Sequence, residues 1–428
     1  MTSPRPRARW WPVVLGFVLA ASLLAVAVLG WGRLTATDLG AATPAGRSTT
    51  TALAGVQELL DRRVAAARSG DASAWLADLD PSATSMLDRQ RALFRSLRAL
   101  KVEGLTLRAE RFLPGPAVRA DGTVGDGTAR VDAVGAWTLP GVDARPAPFA
   151  VELTVRRQGA GWVLVDDTAV GTVRQAFDLP GLQVRRTAAG VVAGNASAAH
   201  LDEVAADLAG ARAQVERAWG RLAHLPAVVV PRTEAEFASL TRRTGQDTSQ
   251  VAAVTYGMLE EGSTARGDRV VVNPRAWSQS TRQGRRIVLA HELTHLAVRG
   301  STTHPVPQWL SEGYAVHRSY AGLQVDPRQA APELLDAVAR GRLPTSLPAD
   351  ARFEGAASGT AYDEAWLLVD WLARTYGEET LRRVYREAGA GGSVEEALGR
   401  IGLSETDLLV RWQQELRRLA GAPQEPVP

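Results

Sequence analysis

Two histidines four residues apart flank an acid in the run His291-Glu292-Leu293-Thr294-His295, and a further acid, Glu312, follows in Trp309-Leu310-Ser311-Glu312-Gly313-Tyr314-Ala315. On a helix, positions i and i+4 lie one above the other, so His291 and His295 present two imidazoles to one point. Glu292 lies one step round the same helix, beside a water on the ion rather than on the ion itself. A second helix carrying Glu312 would close the site with a carboxylate. Two imidazoles and a carboxylate with an open fourth position form the donor set with which zinc activates water at neutral pH. The chemistry expected from these residues is hydrolysis of a peptide bond, with one Zn2+ per chain and a peptide or protein as substrate.

Histidine is scarce, at six in 428 residues. At that frequency a chance H-E-x-x-H arises roughly once in a few hundred such chains. The flanks add to the signal. Arg285-Arg286-Ile287-Val288-Leu289-Ala290 leads in as an apolar helix, neither Pro nor Gly interrupts 285–299, and Gly300 ends it. Pro305 and Pro307 then precede a second helical run, where proline is tolerated in the first turn. In that run Gly313 would let the helix approach a neighbour closely. The alternative, an amphipathic helix with two surface histidines, leaves these flanks without a purpose. The third ligand follows by elimination. The pattern H-E-x-x-H-x-x-G-x-x-H would need glycine at Val298 and histidine at Ser301, and His304 lies in a proline-flanked loop, which leaves Glu312.

The run H-E-L-T-H followed by P-x-W-L-S-E-G-Y-A resembles the gluzincin metallopeptidases, and most of all their bacterial peptidase MA-like branch. The similarity extends over roughly 180–420, through Gly359-Thr360-Ala361-Tyr362-Asp363-Glu364-Ala365 and Leu403-Ser404-Glu405-Thr406-Asp407-Leu408 ahead of Trp412. The resemblance implies that His291, His295 and Glu312 bind zinc and that Glu292 is the general base, passing a proton from water to the leaving amine. It also implies a tyrosine or histidine as oxyanion donor; Tyr362 is the first candidate and Tyr314 the second, with a packing role open for each. His317 reads as a surface or supporting residue, and Ser311 and Asp363 as groups that could orient the ligand imidazoles. The spacing from His295 to Glu312 is shorter than in thermolysin-like members, and no G-x-M-E-N motif for a substrate amine is present, which leaves endopeptidase as the expected mode. Asp268-Arg269-Val270-Val271-Val272-Asn273-Pro274 reads as a strand, expected at a sheet edge because Pro274 follows and charges flank its start. In gluzincins an edge strand near the zinc helix pairs with an extended substrate.

The elements that must carry this site begin far upstream. Arg5, Arg7 and Arg9 precede an apolar stretch from Trp10 to Trp31 whose core, Val13 to Gly30, has no charge and one hydroxyl, Ser22. About 20 apolar residues span a bilayer, and arginines on one flank argue for a cytoplasmic N-terminus. The expectation is a single-pass bacterial membrane protein anchored through 10–31 with the catalytic part outside; secretion after signal cleavage is the alternative. With no cysteine there is neither lipoprotein anchoring nor a disulfide framework. The formal net charge is +3, but the first 33 residues hold four of the 49 basic residues and none of the 46 acidic ones, so the remainder is close to −1. That balance gives no reason to expect nucleic acid as a partner.

The chain divides as a basic tail (1–9), the apolar stretch (10–31), a spacer (32–47), an α+β unit (48–173), a metallopeptidase-like unit (174–419) and a disordered tail (420–428). In the first unit, helices over 51–69, 72–79 and 82–100 precede strands over 102–112, 128–139, 148–158 and 161–167, an order that resembles NTF2-like or cystatin-like domains. A linker is expected at 174–185. A hairpin over 182–193, a helix over 202–222, a strand over 226–231 and a short helix over 234–243 follow, and 305–418 is mostly helical. The fold class expected is therefore α+β: one N-terminal transmembrane helix, a curved-sheet α+β domain, and a zincin-type domain with a small mixed sheet and a largely helical C-terminal part. Two function classes compete, a zinc peptidase and a catalytically silent zinc-containing envelope scaffold; the intact Glu292 favours the first, because a purely structural site needs no general base.

Overall fold

The computed structural model describes residues 44–118, 124–125, 127–169, 172–249, 251–354 and 358–422. It is α+β with two sheets. The expected architecture is corrected in one respect: among the described residues no helix is long and apolar enough to cross a membrane. The stretch 10–31 lies outside the described residues, as do 423–428 of the expected tail.

Helix α1 (Pro44–Ser69) begins within the expected spacer, and α2 (Ala72–Ala77) and α3 (Thr84–Leu100) follow. Asp71 caps α2, accepting from the N–H groups of Ser73 and Ala74. Strands β1 (Glu103–Phe112), β2 (Thr128–Thr138), β3 (Ala147–Gln158) and β4 (Gly161–Asp166) form an antiparallel sheet in chain order. Alternation drives it: in β2, Ala129, Val131 and Ala133 turn inward while Thr128, Arg130 and Asp132 turn out. Val131, Leu153, Val155 and Leu164 close a core with Val56, Leu59 and Leu60 of α1.

The second sheet has the order β5 (Gln183–Thr187), β6 (Gly190–Gly194), β7 (Ala227–Val230), β9 (Arg266–Val272), β8 (Ala253–Met258). β6, β7 and β9 run parallel; β5 and β8 are antiparallel to their neighbours. The strand expected at the edge, β9, is therefore interior, and the edge is β8, which the sequence reading did not identify. β9 reads as an edge only because of its charged start and terminal proline; Pro274 in fact opens α6 (Pro274–Gln279), capped by Asn273.

This sheet is buried on both faces by different partners, and the split has period two. Val192, Val228, Val230, Val270 and Val272 face a core built with α4 (Ala198–Trp219) and the motif helix, α7 (Arg282–Arg299). Val191, Ala193, Ala227, Val229 and Val271 face the opposite core, which contains Phe94 and Leu97 of α3 and Trp137 of β2. Uninterrupted apolar strands are what two buried faces require. The segment 174–185, expected as a linker, is part of this second core: Phe177 packs edge-on to Trp137 at 5.3 Å and Phe149 at 5.8 Å, and Trp137 donates to Gln175 at 3.0 Å. Arg269 of β9 makes a two-pronged pair with Asp143 at 2.7 and 2.6 Å, both side chains buried, beneath the Trp137 ring.

The rest is helical: α5 (Glu234–Leu240) between β7 and β8, then α8 (Gln308–Ser319), α9 (Pro327–Ala330), α10 (Pro332–Ala339), α11 (Ser358–Tyr376), α12 (Glu378–Gly389), α13 (Val394–Gly399) and α14 (Glu405–Ala420). α8 lies between α7 and α11. Gly313 makes the second contact possible, since a Cβ there would stand 2.4 Å from the Ala365 carbonyl oxygen and 2.6 Å from Val369.

Candidate metal centre

α7 starts on a side-chain cap, Thr281 accepting from the Gly284 N–H at 3.1 Å. Ile287, Val288, Leu289 and Leu293 then bury one side against the sheet and α4. That anchoring leaves His291 and His295 side by side, their Nε2 atoms 3.1 Å apart. α8 enters behind Pro307 and brings Glu312 to the same point: Glu312 Oε2 is 3.4 Å from His291 Nε2 and 3.3 Å from His295 Nε2. All three residues are buried.

These separations test whether a metal fits. Donors about 2.0–2.1 Å from a tetrahedral centre stand ~3.3 Å from one another, and the observed 3.1, 3.4 and 3.3 Å lie around that value. The electrostatics agree. Glu312 is fully buried, and neither of its carboxylate oxygens accepts a hydrogen bond, an arrangement that is costly without a cation. Burial pushes the Glu312 carboxyl up to about 7, against the opposing pull of His291. Burial also lowers His291 and takes His295 down to about 4. Neutral imidazoles are ready ligands, and a dication would restore the carboxylate's charge. The group could hold a metal ion.

Glu292 is buried beside these ligands. Thr255 of the edge strand β8 donates to its Oε2 at 2.8 Å and lies 3.0 Å from its backbone carbonyl. One hydroxyl thus fixes the carboxylate and ties α7 to β8. A turn beyond His295, Arg299 reaches Asp268 of β9 at 2.8 Å and the Gly257 carbonyl of β8 at 3.1 Å, a second clamp between the motif helix and the strands.

The other sequence candidates separate. Tyr362 is buried on α11, its ring edge-on to Phe353 at 5.3 Å, and it shares an electrostatic neighbourhood with Glu292 through Arg243. Tyr314 packs between Trp219 (5.5 Å) and Tyr385 (5.3 Å); the charges around it are Arg318, Glu378, Arg382 and Arg386, none of them in the metal centre. Ser311 accepts from Tyr385 at 3.4 Å rather than orienting a histidine. Asp363 has Glu333 and Glu364 as its charged neighbours, and burial pushes it up to about 8. His317 lies between Asp370 (3.1 Å) and Glu378 (2.6 Å), joining α8, α11 and α12. His304 meets Thr303 at 3.0 Å in the loop before α8.

Sequence reasoning did not find Thr255, Arg243 or the Asp268–Arg299 clamp. Thr255 lies in Ala253-Val254-Thr255-Tyr256-Gly257-Met258, where alanine and glycine weaken the strand signal. Arg243 carries no local mark among so many arginines. No protein family model matches this chain, and no curated protein matches it.

Proposed function

We propose that this chain is a zinc-dependent peptidase of the gluzincin type, with His291, His295 and Glu312 holding the ion and Glu292 acting as general base. The observation that carries the reading is the convergence of two imidazoles and a donor-less buried carboxylate at tetrahedral spacing, with a further carboxylate held beside them by Thr255. When bound, zinc supplies a Lewis acid and lowers the pKa of its water to about 7. The protein does the rest. Glu292, pinned at Oε2 by Thr255, takes a proton from the attacking water and returns it to the leaving amine. Tyr362 is the oxyanion donor in this reading, because Tyr314 is enclosed by Trp219 and Tyr385. β8 is the last strand of its sheet, and its Thr255 touches Glu292. An extended substrate adding to that edge would run past the general base, which favours a peptide substrate.

The test exposes the full chain, loaded with zinc, to a diverse peptide library beside Glu292→Gln, with products read by mass spectrometry. Cleavage by the parent and none by the variant is the expected result. Stoichiometric zinc in both with no cleavage by either would favour the silent-scaffold reading.

A further inference from the structure

The two faces of β8 have different company. Thr255 turns toward α7 and donates to Glu292 at 2.8 Å. The next residue, Tyr256, turns the other way, and together with Met258 it lines a cavity of about 330 Å³. Among the described residues β8 pairs with β9 alone. Its other edge therefore runs without a strand partner, with the general base on one side and this cavity on the other.

The far wall of the cavity belongs to the N-terminal sheet. Val134 and Ala136 of β2 are the register partners of Ala150 and Pro148 of β3, so the four lie side by side. Alternation turns them away from the face that Val131 and Leu153 close against α1. All four are half-buried and line the cavity. The two sheets touch at Gly267 of β9, whose φ is +68°. A Cβ there would stand 2.5 Å from the Ala147 Cβ, so glycine is what lets the walls meet. The charges around the cavity do not oppose an apolar occupant. Arg108 pairs with Glu110, Arg266 with Glu260 and Arg269 with Asp143, and Arg242 is exposed, where its head stays in water.

An extended peptide added to the free edge of β8 alternates its side chains between the two faces. One residue points to α7 and the candidate metal centre, and its immediate neighbour points to the cavity. The volume lies in the range of about 300–1,000 Å³ found for ligand pockets, which suits a large side chain rather than a methyl group.

Resting on the peptidase reading above, we propose that this cavity is the subsite for a large apolar side chain of the peptide substrate, on a residue adjacent to the one that faces Glu292. The N-terminal unit is then one wall of the substrate cleft and takes part in choosing the substrate.

Binding without turnover tests this. The full chain with Glu292→Gln, loaded with zinc, is titrated with two N-acetylated, amidated heptapeptides of alanine and serine that differ only in the middle residue, phenylalanine or alanine. Burial of a phenylalanine side chain corresponds to about ten- to a hundredfold in affinity, so the phenylalanine peptide should bind that much more tightly. Adding Ala136→Trp fills the cavity from the N-terminal wall and should abolish the preference with zinc content and circular dichroism unchanged. A third peptide carries a benzophenone side chain in the middle position, and after illumination its adduct is mapped by mass spectrometry. Adducts on β2 or β3 are expected. Equal affinity for the two peptides overturns the proposal, as does a preference that survives Ala136→Trp, or an adduct confined to α7, α8 or α11. Should Ala136→Trp fail to fold, the adduct on the protein with Ala136 intact still decides. Library cleavage without such a preference would remove this subsite and leave the peptidase reading standing, whereas a library test without cleavage would remove the peptidase reading and leave the binding and adduct results separately legible.

Discussion

At the scale of single residues, the centre divides into groups that hold an ion, one that moves a proton, and one that aims it. Replacing His291, His295 or Glu312 by alanine should cost zinc stoichiometry, measured on the dialysed protein. Glu292→Gln should keep zinc and lower kcat by about 10²–10⁴-fold, the range a positioned general base contributes. Thr255→Val separates aiming from basicity. The hydroxyl bonds Glu292 Oε2 at 2.8 Å, so the variant should lose roughly ten- to a hundredfold in kcat, as when a supporting hydrogen bond is removed, with KM and zinc content little changed. A Thr255→Val enzyme as fast as the parent would show that Glu292 needs no such support.

Between elements, the site depends on how closely α8 lies to its neighbours. At Gly313 an added methyl meets the Ala365 backbone at 2.4 Å, and backbone cannot rotate away. Gly313→Ala should therefore cost about 1–3 kcal/mol by overpacking. Because Glu312 is the preceding residue, zinc affinity should fall as well; thermal unfolding and a metal titration read the two effects. The other end of α8 is held by His317 between Asp370 and Glu378. Those contacts, working against burial, raise the His317 pKa and lower those of Asp370 and Glu378, with His317 as a partner of each. The signs set a window. The histidine's contribution is complete below its unfolded pKa of ~6.5 and fades as pH rises through the higher folded value, whereas the carboxylates' contribution is present above ~4 and fades as pH falls through their lowered values. The cluster is strongest in mildly acidic solution. His317→Asn should destabilise more at pH 5.5 than at pH 9 in denaturant titrations; an equal loss at both would show that the imidazole acts by packing alone.

For the whole molecule, the central fact is a sheet that serves two cores. Val191, Ala193, Ala227, Val229 and Val271 share their core with Phe177, Phe237 and Leu240 of the C-terminal half and with Phe94, Leu97 and Trp137 of the N-terminal half, which removal of the latter would uncover. A fragment starting at residue 174 should therefore expose an apolar sheet face and bind a hydrophobic dye or associate. A monomeric fragment with cooperative unfolding and undiminished zinc affinity would contradict this. The Asp143–Arg269 pair locks the two halves, with both side chains buried. Arg269→Ala leaves the buried Asp143 carboxylate with the Leu139 N–H but without its cation and should cost about 3–5 kcal/mol, while Asp143→Ala together with Arg269→Ala should cost less than the sum of the single changes.

Much of the candidate site was legible in one dimension, because helical periodicity is a local property. The i and i+4 spacing of His291 and His295, the absence of breakers in 285–299 and the prolines before α8 were enough to bring the imidazoles together and to nominate Glu312. Helix and strand order up to residue 166 was legible for the same reason, since alternation and 3.6-residue repeats are written in neighbouring residues. The order of strands in the second sheet was not, because pairing partners are set by tertiary packing: β9 lies inside and β8 at the edge although nothing in either segment says so. Thr255 became a functional candidate only when the strand edge placed it against α7. The apolar run Val270-Val271-Val272 read as an edge strand, and the fold alone decided that it lies inside the sheet with one face toward the metal helix and the other toward the N-terminal half. Local sequence sets which side chains share a helix face; long-range packing sets which faces meet.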